Sequence, residues 1–141
     1  METALVLCAN GIRTYRFTSL RPTPELSFAL RETDSIAGIN VTASHNPAKY
    51  NGYKVYGNDG CQLGVKESDN ISAIINKLDT FKDIKTVDFD EAVKNGMIEY
   101  IKNPFNSFLD DILGVLDVEA IRERGLRILF DPMHGSSSYP L

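Results

Sequence analysis

"GINVTASHNPAKYNGYKVYG", residues 38–57, decides how this chain is read. Ile36 to Ala43 is rich in β-formers, and Tyr53 to Tyr56 is a second such run. Between them stand Ser44, His45 and an Asn-Pro pair. Pro47 fixes its own φ and keeps Asn46 out of the helical region, so the connection is stiff just after the serine. If the two runs pair as a hairpin, Ser44 lies at its tip. Lys54 then lies about three residues down the return strand, roughly 10 Å away at ~3.3 Å per residue. Strand alternation puts Gly52, Lys54 and Tyr56 on one face and Tyr53 and Val55 on the other.

That placement has chemical content. A serine hydroxyl is a weak nucleophile at neutral pH and needs activation. The G-x-S-x-G elbow of a hydrolase is not matched by Ala43-Ser44-His45. A serine that carries a phosphoryl group needs something else: cations, in-line access, and an acid/base for the accepting hydroxyl. His45 and Lys54 are of the right type for the last role. The plainer reading is a turn serine, a solvated loop histidine and a strand-edge lysine. Taken singly, these residues favour the plainer reading.

Outward from the bend, the chain alternates strand and helix signals. Residues 2–10 read as a helix stopped by Asn10-Gly11, and Ile12 to Phe17 as a strand. "RPTPELSFALRE" opens a helix, with Thr23 as the expected cap and Pro24 at the first helical position. Ile71, Ile74, Ile75 and Leu78 predict an amphipathic helix over 67–79. Asp90 to Asn95 reads as a short helix and Met97 to Ile101 as a strand. Phe105, Phe108, Leu109, Ile112, Leu113 and Leu116 predict a helix from Asn103-Pro104 that buries one stripe. "LRILFD", residues 126–131, reads as a strand. The alternation predicts an α/β fold, a layered mixed sheet with helices on both faces.

The bulk numbers bound the rest. At 141 residues, 43% hydrophobic and 24% charged, the chain has the composition of one ordinary globular domain. No apolar run reaches the ~20 residues of a membrane span, and Ala4 to Ala9 is too short for a signal peptide. Cys8 and Cys61 make no disulfide framework, so we expect a reduced, cytoplasmic protein. The net charge is −4, yet residues 13–57 carry six Lys/Arg against Glu25, Glu32 and Asp34. That local excess suits a small anionic ligand, whereas nucleic acid asks for a broader basic face. We expect no nucleic acid and no membrane partner.

The ordered string adds a resemblance. "TASHNP" followed by "NGYKVYG" resembles the active-site serine loop of the α-D-phosphohexomutases, the phosphoglucomutase/phosphomannomutase family. "LRPTPELSFALR" resembles the segment before that loop, and "FDPMHG" the start of the family's second domain. The resemblance covers residues 4–141. It implies that Ser44 is the phosphorylated serine, that Lys54 is the general acid/base, and that His45 orients groups or transfers protons. It implies an isomerase, an intramolecular phosphotransferase that shifts a phosphoryl group between the C1 and C6 oxygens of a hexose phosphate through a bisphosphorylated sugar. Magnesium would contact the Ser44 phosphate, and a sugar 1,6-bisphosphate would serve as activator and intermediate.

Departures from the pattern shape the remaining expectations. The family's Asp-rich metal loop, D-G-D-G-D-R or near it, does not occur. "DFDE", residues 88–91, reads as acids at a helix N-terminus, and Asp110-Asp111 as a solvated helix face. We therefore expect domain I, truncated at its N-terminus, over residues 1–125 with the serine loop at 42–47. Residues 126–141 are expected to be the first strand and loop of a truncated domain II. Such a piece would lack turnover by itself and could self-associate. The competing reading is a non-catalytic module that binds a sugar phosphate or a partner.

Overall fold

The computed structural model describes residues 1–101 and 104–136. Helices and strands alternate in an α/β chain: α1 (Glu2–Ala9), β1 (Thr14–Arg16), α2 (Thr23–Glu32), β2 (Ala37–Val41), β3 (Tyr53–Gly57), α3 (Val65–Ile75), α4 (Phe89–Lys94), β4 (Ile98–Tyr100), α5 (Pro104–Val115) and α6 (Val118–Glu123). Both parallel and antiparallel pairing are present, divided between two two-stranded sheets, β1 with β4 and β2 with β3. The chain forms two units. One is Met1–Ser19 with Leu63–Lys102, and the other is Leu20–Gln62 with Asn103–Leu141.

In the first unit, β1 and β4 run parallel with Thr14 opposite Ile98 and Arg16 opposite Tyr100. Ala4, Cys8, Ala92 and Ile98 form its buried cluster, with Leu5, Val87, Phe89 and Met97 packed on it. The four buried residues come from α1, α4 and β4, so burial ties three short elements together. Helix α4 is started by Asp88, whose carboxylate accepts the Glu91 amide at 3.0 Å, and Asp90 and Glu91 fill its first turn. The acidic stretch is thus a helix start, where carboxylates offset unpaired amides. Helix α3 differs from its expectation of 67–79: it begins at Val65, ends at Ile75 and buries no residue. Its apolar residues lie on the surface, with Ile74 and Ile75 more than half exposed.

In the second unit, α2 begins one residue earlier than its sequence signature implies. Its N-cap is Pro22, which has no side-chain acceptor, so no cap bond forms. Thr23 is therefore not the cap. Its hydroxyl instead accepts the Asn40 side-chain amide at 2.8 Å and joins the start of α2 to β2. Glu25, Phe28, Ala29 and Leu30 are the buried residues of α2. Gly38 of β2 lies against Leu30, and a Cβ there would come within 2.8 Å of the Leu30 side chain. Helix α5 packs on α2 through Phe28 and Phe108, whose ring centres are 5.6 Å apart and tilted by 60°. The full buried stripe expected on α5 is not made: Leu113 and Leu116 are about half exposed. The Phe105 side chain and the expected helix start at Asn103 lie outside the described residues.

Two further features depart from expectation. Helix α6 has no apolar stripe to announce it, and Asp117 starts it by accepting the Ala120 amide at 3.0 Å. Residues 126–131 form no strand. Ile128 is 76% exposed and Leu129 96% exposed, so nothing covers this run among the described residues. A β-rich run without a neighbouring strand leaves its backbone groups to water, and propensity alone does not hold it extended in a sheet. Residues 137–141 of the segment assigned to a second domain lie outside the described residues. Cys8 and Cys61 are both free thiols, one buried and one exposed. Among the described residues no helix is long and apolar enough to cross a membrane.

Candidate active site

The hairpin expected from the opening stretch is formed. β2 and β3 pair antiparallel from Ala37 opposite Gly57 to Val41 opposite Tyr53, with Asn40 opposite Lys54. Beyond the last pair, the Thr42 amide donates to the Gly52 carbonyl at 2.9 Å. A Cβ on Gly52 would lie 2.3 Å from the Thr42 carbonyl oxygen, so only glycine lets the two strands close there. The connection then makes two tight turns. The Asn46 amide donates to the Ala43 carbonyl at 3.0 Å, and the Tyr50 amide to the Pro47 carbonyl at 2.9 Å.

Ser44 occupies the first central position of the turn from Ala43 to Asn46, and its φ is +57°. The left-handed region is disfavoured for a residue with a Cβ, by roughly 1–2 kcal/mol. One bond that accompanies this geometry is local: the Ser44 amide donates to the Thr42 hydroxyl at 3.0 Å. Ser44 and His45 are both exposed. The serine oxygen is 3.3 Å from His45 Nδ1, close enough for the ring nitrogen to exchange a proton with it.

Lys54 sits elsewhere in the hairpin. Cross-strand partners point to the same side, so Lys54 shares a face with Asn40, Gly38 and Tyr56. Tyr56 and Gly38 are buried, and Asn40 bonds to Thr23 of α2. The lysine therefore lies on the side of the hairpin that faces α2, half-buried, while Tyr53 is on the open face and exposed. The structure brings Ser44 and His45 together. It does not bring Lys54 into contact with either, and among the described residues the ammonium has no hydrogen bond or ion pair.

A second ionic feature of this unit was not anticipated from the sequence. Glu25, in the first turn of α2, is fully buried, and its carboxylate stands 3.6 Å from the Arg21 guanidinium. Burial pushes the Glu25 carboxyl above its ordinary value, and the positive charge of Arg21 opposes that shift. The i,i+4 spacing of Arg21 and Glu25 was the available signal, but spacing does not report burial. The groove between α2 and α5, lined by Pro24, Ser27, Arg31 and Ile112 among others, includes none of Ser44, His45 and Lys54. No group of three His, Cys, Asp or Glu side chains suited to a metal ion occurs among the described residues.

Fold and bend together define a class: an α/β protein that holds an exposed serine–histidine pair at the tip of a two-stranded hairpin. Comparison with known proteins narrows it. A family model described as phosphoglucomutase/phosphomannomutase, alpha/beta/alpha domain I, matches residues 1–82. Over 137 residues the chain is 38% identical to a phosphoglucomutase of Staphylococcus saprophyticus, covering 96% of this chain and 24% of that protein. It is 38% identical over 136 residues to a phosphoglucomutase of Staphylococcus aureus strain USA300, covering 95% and 24%. The match to a phosphoglucomutase of Staphylococcus epidermidis strain RP62A is 33% over 137 residues, covering 95% and 24%. The chain belongs to the phosphoglucomutase/phosphomannomutase family. It spans about a quarter of the length of these relatives.

Proposed function

We propose that this chain supplies the serine-bearing part of a cytoplasmic phosphohexomutase that interconverts hexose 1-phosphate and hexose 6-phosphate. The observation that carries the reading is the exposed Ser44 hydroxyl, held at a stiff hairpin tip beside His45 Nδ1 at 3.3 Å. Family membership supports it, as do relatives named phosphoglucomutase.

In the forward step the bond between phosphorus and Ser44 Oγ breaks while a sugar hydroxyl oxygen bonds to phosphorus. The hydroxyl proton passes to a neutral base, for which Lys54 is the candidate, and Ser44 Oγ takes up a proton to end as a hydroxyl, with His45 at hand. The bisphosphorylated sugar turns over, and its other phosphoryl group returns to Ser44 by the same exchange in reverse. A sugar 1,6-bisphosphate added from outside would load Ser44 directly. For Lys54 to act, its side chain must swing from the α2 side of the hairpin towards the tip. Among the described residues no group of three acidic, His or Cys side chains would hold the magnesium that the resemblance implies; the phosphate on Ser44 would be its contact in this chain, where it would offset negative charge during transfer. By itself the chain is proposed to lack turnover, because among the described residues no side-chain group suited to a metal accompanies the Ser44 phosphate and the chain spans about a quarter of the length of its relatives.

The test is a hybrid in which this chain replaces the matching segment of the S. saprophyticus phosphoglucomutase. The hybrid should isomerise glucose 1-phosphate and gain the mass of one phosphate with glucose 1,6-bisphosphate. Ser44→Ala should abolish both. Lys54→Met should keep the phosphate gain but slow turnover by ~10²–10⁴-fold, the usual worth of general acid/base help. Normal turnover by Ser44→Ala would overturn the reading. The 141-residue chain alone should convert no glucose 1-phosphate, and more than trace conversion would overturn its proposed inactivity.

A further inference from the structure

Ser44 is one of three non-glycine residues with positive φ among those described, and it alone of the three carries a role in the proposed chemistry. Its left-handed backbone needs a device that holds it, because strained conformations persist only where the surroundings over-determine them. Its own amide points to that device. The Ser44 amide is 3.0 Å from Thr42 Oγ1, and the Thr42 main chain is in turn pinned to Gly52 by the 2.9 Å bond between the strands. The pin is tight, since a Cβ at Gly52 would reach within 2.3 Å of the Thr42 carbonyl oxygen. Among the described residues no other hydrogen bond reaches the Ser44 amide, and Ala43 between the two residues has a methyl group alone.

We propose that Thr42 is a positioning residue for phosphoryl transfer at Ser44. Gly52 fixes Thr42, the Thr42 hydroxyl captures the Ser44 amide, and the captured amide keeps Ser44 left-handed with its Oγ turned outward beside His45. This deepens the reading of Ser44 as the phosphoryl carrier and rests on it. An in-line transfer is sensitive to the direction of the carrier oxygen, and a displacement near 1 Å can cost about 10²-fold in rate. Thr42 touches no reacting atom in this scheme. Its effect passes through the Ser44 backbone.

Two measurements separate this role from a merely structural one. In the 141-residue chain, NMR reads the strong intraresidue amide–Hα contact that marks positive φ at Ser44, together with the exchange rate of its amide. Thr42→Val keeps the shape and removes the hydroxyl. It should weaken that contact and speed Ser44 amide exchange by roughly three- to tenfold, as expected for one lost hydrogen bond. Thr42→Ser restores the hydroxyl and should return both to the unaltered values. Thr42→Ala takes the place of the valine variant if that one does not fold.

In the hybrid enzyme, Thr42→Val should lower kcat by about 10- to 100-fold with KM unchanged, and Thr42→Ser should recover most of the loss. An unchanged Ser44 contact and exchange rate in Thr42→Val overturns the proposal. So does a full kcat in Thr42→Val, or a Thr42→Ser variant as impaired as the valine one. Ser44→Ala run alongside keeps the two ideas apart. Turnover by Ser44→Ala sinks the carrier reading itself, whereas a dead Ser44→Ala beside a fully active Thr42→Val sinks the role of Thr42 alone.

Discussion

Glu25 is the residue whose environment differs most from what its type prefers. A fully buried carboxylate is costly, and the Arg21 charge at 3.6 Å offsets only part of that cost, so its affinity for a proton is raised in the folded chain. The sign for stability follows. A folded value above the ordinary 4.5 means that the folded state binds the proton more tightly than the unfolded state. Its stabilising contribution is then complete below 4.5 and is lost as pH rises through the raised value. Urea midpoints taken from about pH 4 to pH 7 should show this chain losing stability relative to Glu25→Gln as pH rises. A difference between the two that does not change with pH would contradict this account. Ser44 and Lys54 make a complementary point at this scale: proximity in sequence places them in one hairpin, yet the pairing register places Lys54 on the α2 side.

The hairpin and α4 show how single positions hold whole elements. At Gly52 the neighbour of an added Cβ is a backbone oxygen at 2.3 Å, which cannot swing aside as a side chain would. Gly52→Ala should therefore push the strands apart at the Thr42–Gly52 bond and cost about 1–3 kcal/mol, the usual penalty for forcing atoms into a filled space. A thermal midpoint equal to that of the unaltered chain would refute it. At α4, Asp88→Ala removes the carboxylate that accepts the Glu91 amide and should cost about 1 kcal/mol. Asp88→Asn should keep most of that stability, because an asparagine oxygen accepts the same bond. Since α4 carries buried Ala92, loss of the cap should also loosen the Ala4–Cys8–Ile98 cluster. Amide exchange across α4 and β4 would report that loosening, and no change in β4 would argue against the coupling.

For the molecule as a whole, the exposed apolar surface has the largest consequences. Val65, Ile74, Ile75, Phe81, Ile128 and Leu129 are each more than half exposed. β1, β2 and β4 each have one paired side within sheets of only two strands. Open strand edges and exposed apolar residues favour association with further copies of a chain. Sedimentation of the 141-residue chain should therefore show species larger than a monomer that grow with concentration. Ile128→Lys with Leu129→Lys should reduce them, because two charges at an unpaired β-rich run oppose strand addition. A clean monomer at all concentrations would refute the expectation, and unaltered association in the double variant would move its cause away from residues 126–130.

The sequence by itself determined the hairpin, the serine–histidine pair at its tip, the succession of helices and strands from α1 to α5, and the family. These rest on local causes: β-rich runs broken by Asn46-Pro47, a glycine at the closing pair, and an ordered string of residues that few folds use. Helix α6 escaped because a short helix started by one aspartate leaves no apolar period to read. The tertiary structure alone decided the rest. It buried Glu25 against Arg21, turned Lys54 towards α2, and set Ser44 in the left-handed region beneath the Thr42 hydroxyl. It left α3 with its apolar residues on the surface and residues 126–131 without a strand. The physical reason is common to all of these. Burial, the direction of a side chain and the existence of a strand depend on partners distant in sequence, and local propensity carries no information about whether such a partner is in place.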